Sequence, residues 1–104
     1  MSESEQDHDL IRAKLNSETA HMPWKDLQRF FAAGDTLYVA THLDLIQVAF
    51  AFQQNQVVDV EHWLAQFELA PVSIEQAKTW LKTDALLWTV VVKPWILVQL
   101  PSQP

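Results

Sequence analysis

Glu18 and His21 stand three residues apart in a stretch whose apolar positions, Leu10, Ile11, Leu15 and Met22, recur at nearly helical steps. A helix would set both side chains on one face. Glu-x-x-His is half of a di-iron carboxylate pattern, which needs a second copy and two further glutamates from facing helices. The other histidines, His8, His42 and His62, have no matching spacing. Glu18, His21 and the following Trp24 are therefore candidate contacts of a small-ligand or metal site near the first two helices, and a solvated helix face is the plainer reading. Asp7-His8-Asp9 could hold a cation weakly within an acidic lead. Ser17 and His21 offer no oriented Ser–His–Asp set, and Asp59 and Glu61 are ordinary carboxylates for a helix start. No catalytic residue and no cofactor is assigned.

Five tryptophans, Trp24, Trp63, Trp80, Trp88 and Trp95, are the most unusual positive feature. Trp63 and Trp80 fall on apolar helical stripes and read as core. Trp88 and Trp95 flank Lys93-Pro94, where an exposed indole beside an open strand edge would suit recognition, since Trp is enriched in binding hot spots. Trp88, Trp95, Ile96 and Val98 are the candidate interface.

The chain of 104 residues is one small domain. It has one glycine, Gly34, and no cysteine. Average usage would give roughly seven glycines at this length. A P-loop, a dinucleotide fingerprint and a nucleophile elbow each need two or more glycines, so all three are excluded. The lack of cysteine excludes thiol catalysis, disulfides and cysteine-ligated metal. Between Arg29 and Lys78 lie 48 residues without Lys or Arg, while Asp35, Asp44, Asp59, Glu61, Glu68 and Glu75 fall inside the gap. Phosphate-tracking surfaces need clustered cations, so neither nucleic acid nor an anionic membrane is an expected partner. The polar, acidic N-terminus lacks the basic start and apolar stretch of a secretory signal, and a cytoplasmic location is expected.

These residues need elements to hold them. Residues 1–8 read as a flexible acidic lead, 9–100 as a single globular domain and 101–104 as a tail. A first helix runs from Asp9 toward Met22, Pro23 breaks it, and Trp24–Ala33 forms a second helix closed by Gly34 in a left-handed cap. Thr36–Ala40 reads as a strand. Thr41-His-Leu-Asp44 has the form of a capping box ahead of Leu45–Phe52, which suits a helix; as a strand it would put Ile46, Val48, Phe50 and Phe52 on one face. Asp59 could cap a helix carrying Trp63, Leu69–Val72 is a loop or very short strand, and Ser73–Gln76 is a second capping box. Leu86–Val92 and Trp95–Leu100 are strands, joined by a hairpin turn or forming one kinked edge strand. The order gives an α+β fold: a small antiparallel sheet with a C-terminal hairpin, covered by about five helices. It also has the order of a winged helix, without a basic recognition helix.

Four stretches carry a resemblance: Lys14–Ala20, Trp24–Ala32, Leu43–Ala49 and Val90–Gln99. Through them the chain resembles a family of small bacterial proteins catalogued only as a domain of unknown function. The resemblance implies a one-domain bacterial cytoplasmic protein and no activity, substrate or catalytic residue. The residues themselves point to a non-catalytic interaction module, binding a protein partner or pairing with itself through its C-terminal strands. The alternative is the small-ligand or metal site at Glu18, His21 and Trp24.

Overall fold

The computed structural model describes residues 2–101. Helix α1 (Ser2–Glu18) leads into strand β1 (Ala20–Pro23), a 3-10 turn (Trp24–Leu27) and α2 (Gln28–Ala32). Strand β2 (Thr36–Val39) follows, then α3 (Leu45–Gln53), α4 (Val57–Ala65) and β3 (Leu69–Pro71). The chain ends with α5 (Ile74–Lys82), β4 (Leu86–Val92) and β5 (Trp95–Gln99). The fold is α+β. Five strands form one sheet in the order β1-β4-β5-β2-β3.

Sequence and structure differ in the pairing. The sheet is mixed, because β2 runs parallel to β5 while the other neighbours are antiparallel. Parallel neighbours require a crossover, and the long α3–β4 segment supplies it. The expected C-terminal hairpin is present, turning at Lys93-Pro94 with Val92 opposite Trp95. It lies inside the sheet, with β1 and β2 on its flanks, so it has no free edge.

Helices cover both faces of the sheet, which rules out the winged-helix arrangement. On one face Leu37, Val39, Val90, Val92 and Leu97 pack under Leu15 of α1 and Leu45, Val48, Ala49 and Phe50 of α3. On the other, Leu87, Ile96 and Val98 pack under Trp24, Leu27, Ala77 and Trp80. Alternation along β5 explains the division, since successive side chains point to opposite faces. The ambiguous Leu45–Phe52 run is helical, and five of its residues are buried.

Boundaries move where a stronger local partner exists. The stretch read as a flexible lead belongs to α1, whose helix starts at Ser2. Once Leu15 docks on the sheet, each added residue brings one hydrogen bond without a new nucleus. Residue 1 and the tail residues 102–104 lie outside the described residues. Helix α3 is capped by Asp44 itself, whose carboxylate accepts the Ile46 and Gln47 N–H groups at 3.0 and 3.4 Å. Helix α4 starts at Val57 after Gln56, ahead of Asp59. The second capping box is complete: Ser73 Oγ accepts from the Gln76 N–H, and Gln76 Oε1 accepts from the Ser73 N–H, both at 3.0 Å.

Helices α2 to α5 all stop in the same way, with a left-handed residue after the cap. These residues are Gly34, Asn55, Phe67 and Asp84, with φ of 82°, 56°, 58° and 55°. Each stop has the two Schellman hydrogen bonds; after α4 they run from the Phe67 N–H to the Leu64 carbonyl and from the Glu68 N–H to the Trp63 carbonyl. Glycine, asparagine and aspartate suit this conformation, and phenylalanine does not. Phe67 is also 85 % exposed, so it gains little packing in exchange. Phe67→Asn is expected to raise stability by about 1 kcal/mol, the low end of the left-handed penalty. Urea unfolding midpoints check this.

Tyr38 packs toward the second core beside Trp80, with ring centroids 5.8 Å apart. Burial holds its phenol above the ordinary tyrosine value of about 10. The neutral phenol is thus favoured in the folded state. Its contribution to stability is full below the unfolded value and is lost as pH rises through the folded one. It is the only tyrosine in the chain, so phenolate absorbance should titrate in one step above the midpoint measured in urea.

Candidate functional site

A cleft of about 470 Å³ opens where the end of α1, the β2–α3 loop and the middle of the sheet meet. Asn16 lines it from α1 and Thr19 from the turn after it, Thr41, Leu43 and Asp44 from the loop, and Trp88 and Gln99 from β4 and β5. Local hydrogen bonding shapes each wall. The Thr19 hydroxyl donates to the Leu15 carbonyl at 2.7 Å, closing the helix just before the chain turns into β1. The Gln99 side-chain amide donates to the carbonyls of Ala40 and Leu43 at 2.9 and 2.8 Å, fastening the loop to the sheet. Gln99 is only 9 % exposed, so this is a built contact. The loop is also tied to the turn after α4: the Ala40 N–H donates to the Glu68 carbonyl, and His42 Nε2 meets Glu68 Oε2 at 2.5 Å.

Trp88 forms the aromatic wall. The β1–β4 register sets His21 opposite Trp88, and the two rings stack with centroids 3.6 Å apart at 35°. A cross-strand aromatic pair of this kind fixes ring orientation on the sheet surface. Trp88 stays 37 % exposed.

The charges around the cleft have one sign. Among the described residues Asp44 is the only formally charged one in its lining, and no Lys or Arg lines it. Helix α1 ends here with no basic residue in its last turn, so its C-terminal carbonyls add partial negative charge. The N-terminus of α3, which would attract an anion, is already occupied by the Asp44 carboxylate. An indole face in negative surroundings favours a cation, above all a flat one. For acid–base chemistry the lining supplies one carboxylate, and that carboxylate is engaged in capping.

The structure regroups the sequence-derived candidates. Glu18 and His21 do not share a helix, because α1 stops at Glu18 and His21 belongs to β1. Glu18 lines a different cleft with Lys14, Phe52 and Lys93. Among the described residues no three His, Asp or Glu side chains gather where a metal ion could sit. Trp24 is 1 % exposed, edge-on to Phe31 and Trp80, and belongs to the core. Of the four interface candidates, Ile96 and Val98 are buried within the chain and Trp95 packs against the first core. The reason is topological: β5 is an inner strand covered by helices on both faces. Trp88 is the most exposed of the four, with Trp95 partly buried, and its partner at the surface is His21, from the other candidate set.

Sequence reasoning missed Asn16, Thr19, Thr41 and Gln99. Gln99 carried a faint signal, a polar residue ending an otherwise apolar strand. The capping pattern at Thr41–Asp44 marked the right loop and assigned it a purely structural part.

Comparison with known proteins gives a family and a fold. A family model described as Protein of unknown function (DUF2288) matches residues 10–100. The chain is similar to a protein of Pseudomonas aeruginosa solved in solution by NMR, PA1075, at 40% identity and a TM-score of 0.79. The similarity covers 90% of this chain and 87% of that one. No curated protein matches the chain.

Proposed function

The chain belongs to the DUF2288 family, whose function is unknown, and we propose from its own geometry that it is a non-catalytic recognition module. Its cleft beside Trp88 takes a flat cationic group, the guanidinium of a partner protein's arginine. The observation that carries this reading is the pairing of a half-exposed, His21-stacked indole with a lining that has a carboxylate and no cation. A guanidinium can stack on the indole while its N–H groups reach oxygen acceptors in the same plane. Asn16, Thr19, Thr41 and Gln99 supply side-chain oxygens on the lining. A free small cation has the same chemistry and is the second source, closer to a small-ligand role.

The setting belongs to the same reading. A bacterial protein is consistent with the bacterial source of the solved relative, and a cytoplasmic location is part of the same proposal. Among the described residues no helix is long and apolar enough to cross a membrane. The acidic gap between Arg29 and Lys78 supports a cationic protein partner over nucleic acid.

Titration of the protein with arginine amide, and separately with citrulline amide, tests the reading by NMR. Citrulline keeps the shape and loses the charge. The Trp88 indole N–H and the amides of Thr41, Leu43 and Gln99 should shift with arginine amide and stay still with citrulline amide. Trp88→Ala should abolish the response and leave the rest of the spectrum native. An arginine-bearing tripeptide binding more tightly than the free guanidinium ion supports a protein partner; the reverse order supports a small ligand. Equal response to both amides, or none, overturns the proposal.

A further inference from the structure

We propose that the outward face of α4, with Phe67 at its end, is a docking surface for a basic amphipathic helix of another protein. It is carried by other residues than the cleft and stands or falls separately. Helix α4 has no fully buried residue. Only Val60 and Trp63 turn toward the first core, both half-buried. Val57 and Leu64, 57 and 41 % exposed, flank the core-facing side beside Val60, and Val58, 79 % exposed, stands on the outer side with Glu61 between. Val57 and Leu64 are two helical turns apart and so lie on one stripe. Phe67, two residues beyond the helix end, is 85 % exposed.

Phe67 gives the surface its anchor. The Schellman turn fixes its backbone in the left-handed region, and the ring projects into solvent from a rigid point. A strained backbone position occupied by a large apolar residue without packing is unexplained by folding alone. A pre-positioned aromatic ring loses little freedom on binding, which suits a hot spot.

Charge selects the occupant. Asp59 and Glu61 are exposed on the same helix, Glu68 follows Phe67, and no Lys or Arg occurs from residue 30 to 77. A second copy of the chain would bring carboxylates against carboxylates, and an anionic membrane would be repelled. A partner with lysines or arginines beside an apolar stripe satisfies both the apolar face and its rim. A helical segment matches the spacing, since helix faces are read at i, i+3, i+4 and i+7.

Two synthetic helical peptides test this, with identical leucine stripes and either lysine or glutamate at every other position. The lysine peptide should shift the amides from Val57 to Glu68, the glutamate peptide should not, and added salt should weaken binding. Phe67→Asn suits the left-handed turn and should weaken the lysine peptide at least tenfold. Binding of both peptides alike, or binding of the lysine peptide indifferent to Phe67→Asn, overturns the proposal. So does self-association of the protein alone that Phe67→Asn abolishes, since the surface then serves a second copy.

Discussion

Replacing Trp24 by alanine should destabilise the protein by about 3–5 kcal/mol, the range for removing a buried tryptophan. Trp24 is 1 % exposed and meets Phe31 and Trp80 edge-on, with ring centroids 5.5 and 5.2 Å away. Its N–H also anchors the chain by donating to the Ala85 carbonyl at 2.9 Å, a backbone bond that the substitution leaves in place. The loss is therefore one of packing: a cavity among aromatic neighbours that cannot all close over it. Urea unfolding followed by circular dichroism reads it directly. A loss below about 1 kcal/mol would mean that the second core repacks freely, contrary to the tight cluster described above.

Gln99→Leu should cost about 1–3 kcal/mol, less than the tryptophan but with a local signature. The substitution keeps the volume and removes both donors to Ala40 and Leu43. The Ala40 carbonyl keeps the Leu43 N–H at 3.0 Å, whereas the half-buried Leu43 carbonyl is left without a partner, which costs roughly 1–3 kcal/mol, less where water can enter. The β2–α3 loop should loosen, so amide exchange at residues 41–44 should accelerate well beyond that of β4 and β5. Cleft binding should weaken in parallel, because Thr41 and Asp44 ride on that loop. Unchanged exchange in the loop would show that Gln99 does not hold it.

Much of the fold was legible because local rules agreed with one another. The capping box at Ser73–Gln76, the glycine stop after α2 and the two strands around Lys93-Pro94 all rest on short-range chemistry. The site was legible only in fragments. His21 and Trp88 were singled out for separate reasons, and the 66 positions between them hide a cross-strand contact that only sheet register creates. The same register explains why Ile96 and Val98 misled: an apolar strand reads alike whether its edge is open or paired. Three left-handed caps without glycine were invisible as well, since Asn55, Phe67 and Asp84 take that conformation from the Schellman bonds around them. The single glycine thus serves one of four equivalent stops.

The central claim, that the cleft beside Trp88 receives a guanidinium, is tested most directly by intermolecular nuclear Overhauser effects from bound arginine amide. Recognition through Trp88 predicts cross-peaks from the arginine δ-methylene protons to the Trp88 indole and to the Leu43 methyl groups. Cross-peaks to another tryptophan, or to none while the probe still binds, would contradict it.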